Sequence, residues 1–134
     1  MKKRLCELAK ETAKKSYSPY SGFKVGAALL CADLSIYTGA NVENASYSVT
    51  VCAERSAFLQ AVNDGKRQFL SIAVAGGREA VGTDLCPPCG VCLQTMLEFC
   101  DPKTFKVYLV RDEGFEEYLL SELLPLGFKN EVLL

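Results

Sequence analysis

Segments with the apolar pattern of strands and segments with the apolar pattern of helices alternate along the chain. This alternation most limits what the sequence can fold into. Strands are predicted at residues 23–31, 36–42, 69–75, 105–110 and 115–120. Helices are predicted at residues 3–15, 51–63 and 90–99, and a short terminal helix is predicted with Ser121 as its cap. The resulting order, αββαβαββα, favours a single mixed sheet covered by helices.

Length and charge exclude several classes of protein. The 134 residues are typical of one domain, and a hydrophobic fraction of 49% is enough for a core without disulfides. The net charge is −1 and charges of both signs are interleaved, which gives no indication of nucleic-acid binding. No apolar run reaches the ~18 residues of a membrane span, and the basic N-terminus leads into an amphipathic helix. We therefore expect one domain over residues 1–134, with neither a nucleic acid nor a membrane as partner.

Seven cysteines and no histidine restrict the chemistry further. The odd count and the position of several cysteines in apolar runs favour reduced thiols in a cytoplasmic protein. Cys6, Cys31 and Cys100 fit packed core thiols. Because no imidazole is present, Ser-His and Cys-His nucleophile pairs are excluded. A catalytic zinc ion would therefore need thiolate and carboxylate ligands.

Three of the cysteines lie where predicted helices begin. Cys52 is at the start of the second helix, and Cys89 and Cys92 form a C-x-x-C motif at the start of the third. If both helix N-termini approach the same edge of the sheet, the three thiolates meet where backbone N–H groups and helix dipoles stabilise them. A zinc ion with three thiolate ligands keeps one position open for water, as a catalytic site requires.

Two charged residues follow Cys52 closely. Side chains of a first helical turn tilt toward the helix N-terminus, so Glu54 can reach back toward the metal without ligating it. In that position its carboxylate would transfer a proton from water to a substrate atom. Arg55 would offset the net negative charge of a zinc ion with three thiolates by hydrogen-bonding to sulfur.

Other interpretations of these residues remain open at this point. Cys89 and Cys92 alone also fit a redox pair of the thioredoxin type. Cys86 would complete a closed structural zinc site with four thiolates, although two prolines after it make its approach awkward. Glu54 fits equally well as an acidic residue that favours the helix dipole. The redox pair and the structural site both leave Cys52-Ala53-Glu54 without full explanation.

The same residues resemble the motifs of the cytidine deaminase family, specifically its small homotetrameric type. Zinc deaminases carry a His or Cys ligand two residues before a Glu and, later, P-C-x-x-C. Here these are Cys52-Ala53-Glu54 and residues 88–92, and cysteine as the first ligand points to the cytidine branch. Over almost the whole chain, five segments match in family order: YSPYSGFKVGAAL, GANVENASYS, CAERSA, PCGVC and ELLPLGF.

The resemblance implies a fold and an activity. The fold is α/β, a three-layer α-β-α arrangement with a five-stranded mixed sheet. The activity is hydrolytic deamination of cytidine and deoxycytidine to uridine and deoxyuridine with release of ammonia, in pyrimidine salvage. Cys52, Cys89 and Cys92 would hold one Zn²⁺ per chain, and Glu54 would be the proton shuttle.

The resemblance also assigns contacts with a pyrimidine nucleoside. Phe23 matches the aromatic residue that packs on the pyrimidine, whereas periodicity alone favours a core position. Asn41 and Glu43 match the residues that hydrogen-bond the ribose hydroxyl, and they share a face of an extended segment. The backbone at Ala53 and Cys89 would contact the base.

Two further matches concern assembly, and one position departs from the family. Tyr47 and Phe128 match positions that reach a neighbouring subunit's site, which implies a homotetramer with shared active sites; core or rim packing is the alternative. Where the family often has arginine after P-C-G-x-C, this chain has Leu93, so charge balance would fall to Arg55 and the helix dipoles.

Three other functions stay as alternatives. The first is a deaminase of the same fold that acts on a blasticidin-type or modified nucleoside. The second is a zinc-stabilised protein that binds a nucleoside without converting it, for which the leucine in place of arginine is a weak argument. The third is a thiol oxidoreductase, which would be active without zinc.

Overall fold

The computed structural model describes residues 1–134 and has one five-stranded sheet. The strands are β1 (Lys24–Cys31), β2 (Ile36–Ala40), β3 (Phe69–Gly77), β4 (Lys106–Arg111) and β5 (Gly114–Leu119). Their order in the sheet is β2-β1-β3-β4-β5, with β3 and β4 parallel and all other neighbours antiparallel. The predicted mixed sheet is therefore confirmed.

Helices cover both faces of this sheet. They are α1 (Lys2–Ala13), α2 (Ala53–Asn63), α3 (Gly90–Phe99) and the short α4 (Leu120–Leu123), with 3₁₀ turns at Tyr47–Val49 and Asn130–Val132. One hydrophobic cluster lies between α1 and the sheet, and a larger one lies between the sheet and α2 and α3. The three-layer α-β-α arrangement is confirmed. None of the helices is both long and apolar enough to pass through a membrane.

Strand β1 shows why its sequence is apolar without interruption. Successive side chains of a strand point to opposite faces of the sheet. Ala28 and Leu30 pack in the cluster beneath α1, whereas Ala27 and Leu29 pack in the cluster beneath α2 and α3. Because both faces are covered, neither set of positions tolerates polar side chains.

Two predicted helix starts are wrong. The second helix begins at Ala53 and not at Val51, because Val51 exchanges two backbone hydrogen bonds with Val42, at 2.9 and 3.0 Å. The terminal helix begins at Leu120, so Ser121 lies inside it and is not the cap. The Glu122 carboxylate instead accepts a hydrogen bond from the Leu119 N–H at 2.8 Å, which satisfies a donor at the helix start.

Glycines in β1 and β2 allow the helices to approach the sheet closely. A Cβ at Gly26 would collide with the backbone of α1 at Ala9 and Ala13. A Cβ at Gly39 would lie 2.6 Å from the Ala53 carbonyl oxygen and 2.6 Å from the Ala57 nitrogen. Since Ala53 begins α2, Gly39 sets how deeply the N-terminus of that helix sits on the sheet.

We predict that Gly39→Ala destabilises the protein by about 1–3 kcal/mol, because the added methyl group must push the backbone of α2 away from the sheet. The measurement is the free energy of unfolding from urea titrations. Gly114→Ala is the matched control in another strand, since a Cβ there meets nothing within 4 Å. Equal stability of the two variants would contradict the proposed contact at Gly39.

Candidate metal centre and active site

The N-termini of α2 and α3 bring three thiols together, as predicted. Cys52 immediately precedes α2, Cys89 immediately precedes α3, and Cys92 lies in the first turn of α3. All three Sγ atoms lie within 4.8 Å of one another, with 3.9 Å between Cys52 and Cys89 and 3.7 Å between Cys89 and Cys92. Two sulfurs on a tetrahedral zinc ion, each bonded at ~2.3 Å, are ~3.8 Å apart. The cluster therefore fits a zinc ion with three thiolate ligands.

The thiols of Cys52 and Cys92 do not ionise independently. Interaction with the Cys92 thiol is the largest cause that lowers the pKa of Cys52 to about 5; burial opposes it, and Arg55 and Cys89 lower the pKa further. The same interaction, followed by burial, raises the pKa of Cys92 far above its usual value. Without an ion, Cys52 thus favours its thiolate form, whereas Cys92 keeps its proton. A bound cation is what would allow all three thiols to lose their protons.

Arg55 lies beside the cluster with unused hydrogen-bonding capacity. Its Nη2 donates to the Thr50 carbonyl oxygen at 2.9 Å and approaches the Cys52 Sγ at 4.0 Å. Its Nε is buried and has no hydrogen-bond partner. A buried donor without an acceptor is costly, so the guanidinium is suited to a site whose net charge is negative, as three thiolates around a divalent cation would be.

Glu54 is buried next to the thiols but stands apart from their cluster. Only 4% of its surface is exposed, and its carboxylate does not belong to the group of potential ligand atoms. The pKa of Glu54 is raised to about 7, mainly by burial and in smaller part by the charge of Cys52. An acidic residue that only favoured the helix dipole would gain nothing from this burial. The position instead suits a carboxyl group that exchanges protons.

Cys86 lies near the cluster without joining it. Burial raises the pKa of its thiol to about 11, with smaller contributions from the charges of Glu54 and Cys52. A Cβ at Gly76 would lie 2.8 Å from the Cys86 Sγ and 2.9 Å from the Phe23 Cε1. The neutral Cys86 thiol and the aromatic ring predicted to pack on the base therefore both lie close to Gly76 in β3.

Asn41 is buried and holds the segment on either side of Phe23. Its Oδ1 accepts hydrogen bonds from the Val25 N–H at 2.9 Å and from the Ser16 hydroxyl. Its Nδ2 donates to the Phe23 carbonyl oxygen at 2.9 Å. One hydrogen of the amide remains available to a ligand.

Glu43 binds the adjacent turn. Its Oε1 accepts hydrogen bonds from the Tyr20 and Ser21 N–H groups at 2.9 and 3.1 Å, and its Oε2 accepts one from the Ser21 hydroxyl. Asn41 and Glu43 thus engage one continuous segment, which also carries Phe23. The two residues predicted to contact the sugar therefore hold the segment of Phe23, the aromatic residue predicted to contact the base.

The other predicted site residues differ in exposure. Ala53 is fully buried beneath β2, while Tyr47 and Phe128 are 76% and 59% exposed, so neither aromatic ring packs in the core. Gln94 donates to the Phe128 carbonyl oxygen at 2.7 Å and ties the C-terminal segment to α3. Leu93 is buried on the apolar stripe of α3, as predicted, and contributes no charge to the site.

Two clefts flank the segment that carries Phe23. One of about 380 Å³ is lined by Tyr20, Ser21, Glu43, Tyr47 and Thr50. Another of about 600 Å³ is lined by Phe23, Arg78, Glu79, Ala80, Thr83 and Asp84. A cleft of about 820 Å³, larger than these two, lies along α1 and its lining includes none of the cysteines. Size alone therefore does not indicate the reactive site.

Sequence reasoning overlooked two residues that shape this region. Thr50 acts through its backbone carbonyl, which leaves no trace in a side-chain pattern. Ser21 lies in the segment YSPYSGFKVGAAL, in which we assigned a role to Phe23 alone. Its position two residues before Phe23 was the available signal.

Comparisons with known proteins agree with this geometry. A profile described as the cytidine and deoxycytidylate deaminase zinc-binding region matches residues 1–108. A cytidine deaminase of Sporosarcina psychrophila is 45% identical over 124 residues, which cover 92% of this chain and 88% of the relative. A cytidine deaminase of Halalkalibacterium halodurans is 48% identical over 117 residues, covering 87% and 85%. The crystal structure of cytidine deaminase from Burkholderia pseudomallei matches with a TM-score of 0.85 and 41% identity, over 93% of this chain and 97% of that one. By sequence and by fold, this chain belongs to the cytidine and deoxycytidylate deaminase family.

Proposed function

We propose that the protein is a zinc-dependent hydrolase that converts cytidine and deoxycytidine to uridine and deoxyuridine and releases ammonia. One observation carries the proposal: three clustered thiols stand beside a buried carboxyl group that is not part of the cluster. A purely structural zinc site is usually closed by four protein ligands and has no use for such a group.

Cys52, Cys89 and Cys92 would hold one Zn²⁺ per chain. The bound ion supplies Lewis-acid activation of water near neutral pH. Arg55 balances charge at the thiolates, because its Nη2 is fixed by the Thr50 carbonyl oxygen close to the Cys52 Sγ. The dipoles of α2 and α3 also offset the negative charge of the thiolates, since both helix N-termini face the cluster.

Glu54 performs the proton transfers of the reaction. It takes a proton from water, whose oxygen adds to C4, and donates that proton to ring nitrogen N3. It then carries the second proton of the same water to the amino group, and the C4–N bond breaks as ammonia leaves. Its burial next to the cluster excludes bulk water as a competing proton source. A carboxyl group with a pKa near neutrality gives up and regains a proton with little cost.

The substrate class is a free pyrimidine nucleoside. Phe23 would pack on the pyrimidine ring, and the backbone at Ala53 and Cys89 would contact the base. Asn41 and Glu43 would bind a sugar hydroxyl, the first through the spare hydrogen of its amide. A blasticidin-type or modified nucleoside is the competing substrate, and a panel of nucleosides distinguishes the two.

We also propose a homotetramer that works in pyrimidine salvage in the cytoplasm. Tyr47 and Phe128 would reach into the site of a neighbouring subunit, which is supported by the exposure of both rings. The apolar C-terminal residues Leu126, Leu133 and Leu134 are also exposed, as expected of a surface that another subunit covers. The seven free cysteines fit a reducing compartment.

We predict that Glu54→Gln lowers kcat for ammonia release from cytidine by about 10²–10⁴-fold, because the amide keeps the shape of the side chain but cannot carry the proton. Zinc content should be unchanged. Glu98→Gln, an exposed position on α3, is the matched control and should keep full activity. A Glu54→Gln enzyme with wild-type turnover would refute the proton-shuttle role, and zinc-loaded wild type without turnover would favour a binding protein.

We predict that Cys89→Ser protein binds much less than one zinc per chain and loses activity, whereas Cys86→Ser protein keeps both. Cys89 contributes to the cluster of sulfur atoms and Cys86 does not. Zinc is measured by elemental analysis of purified protein, and folding is checked by circular dichroism. Zinc loss in both variants would mean a closed site with four thiolates. Thiol–disulfide exchange by zinc-free wild type would instead support the oxidoreductase.

A further inference from the structure

The hydroxyl of Ser21 connects the two sides of the proposed nucleoside site. Its Oγ accepts a hydrogen bond from the Phe23 N–H at 2.9 Å and donates one to the Glu43 Oε2. The direction of both bonds is fixed by chemistry. An amide N–H can only donate, and an ionised carboxylate can only accept, so the single hydroxyl hydrogen must point at Glu43.

Glu43 is held in one orientation by donors on one side. Two backbone N–H groups bind its Oε1, and the Ser21 hydroxyl binds its Oε2. The hydrogen bond from the Ser21 side chain is also the largest cause that lowers the pKa of Glu43. The carboxylate therefore stays ionised near neutral pH, and of its roughly four lone-pair sites one, on Oε2, remains for a ligand. Such a group accepts a hydrogen bond from a sugar hydroxyl and disfavours a phosphate ester in the same place.

The base side of the proposed site, at Phe23, depends less on Ser21 than the sugar side, at Glu43. The backbone at Phe23 has a second anchor, because its carbonyl oxygen accepts a hydrogen bond from the Asn41 Nδ2 at 2.9 Å. The Oε2 of Glu43 has the Ser21 hydroxyl as its one hydrogen-bond partner in the structure. Loss of that hydroxyl should therefore disturb the sugar side more than the base side.

We propose that Ser21 is a positioning residue that sets the selectivity for a free sugar hydroxyl by orienting Glu43. The inference rests on the proposed cytidine deaminase function, because it assumes a nucleoside in the cleft that both residues line. Ser21 acts through Glu43 and takes no part in the chemical step. A purely structural role for Ser21 would instead weaken all substrates alike.

The test compares cytidine with 2′,3′-dideoxycytidine, which has the same base and 5′-hydroxyl but lacks both ring hydroxyls. In Ser21→Ala enzyme, we expect kcat/KM for cytidine to fall about tenfold or more, mainly through KM, because a hydrogen bond to a charged group is lost. For the dideoxynucleoside, we expect a change below about twofold. Ser21→Thr keeps the hydroxyl and should restore most of the activity on cytidine.

A double-mutant cycle shows whether Ser21 acts through Glu43. In a Glu43→Ala background, Ser21→Ala should cause no further loss on cytidine. Equal losses on both nucleosides, or full additivity in the cycle, would overturn the inference while leaving the deaminase function in place. Wild-type enzyme that releases no ammonia from cytidine would overturn the proposed function and the inference together.

If Ser21→Ala protein does not fold or lacks zinc, Ser21→Cys, whose thiol is a weak donor, takes its place with the same expectations.

Discussion

The contact between β2 and α2 at Gly39 determines where the reactive end of α2 lies. A residue with no side chain lets the first turn of the helix rest directly on the strand, at Ala53. That turn carries Cys52 and Glu54, and α3 reaches the same point as part of the crossover between the parallel strands β3 and β4. Zinc–sulfur distances vary by only a few tenths of an ångström, so the depth of α2 decides whether three sulfurs can share one ion.

Charge is the second constraint on a site without histidine. Neutral imidazoles add no charge to a zinc ion, whereas three thiolates leave the centre negative. In the proposed zinc site, two helix N-termini and Arg55, whose position is fixed by the Thr50 carbonyl oxygen, would compensate this charge. Leu93 is buried in the core beneath α3 and would contribute no charge. Removal of the guanidinium would thus affect the charge of the whole centre rather than a single hydrogen bond.

Much of the fold and the reactive centre followed from the sequence, because both depend on strong local patterns. The helical spacing of apolar residues predicted α3, and an uninterrupted apolar run predicted β1. The cysteines at the predicted helix starts identified the cluster of thiols. The wrong start of α2 has a nonlocal cause: Val51 pairs with Val42 across a loop, which no periodicity near Val51 reveals. The inward orientation of the Asn41 amide also depends on tertiary structure, since its partners lie 16 to 25 residues earlier in the chain.

The two halves of the site differ in how they are held in place. The proposed metal half rests on two helix starts packed on a sheet, whereas the nucleoside half rests on loops fastened by side chains. Asn41 and Glu43 use most of their hydrogen-bonding capacity on those loops and would use the remainder on substrate. Replacement of either residue therefore changes the loop and the substrate contact together. Replacement of the Ser21 hydroxyl would separate the effect on the substrate contact from the effect on the loop. The hydroxyl orients Glu43, whereas the N–H groups of Tyr20 and Ser21 still bind the Glu43 Oε1 and hold the turn.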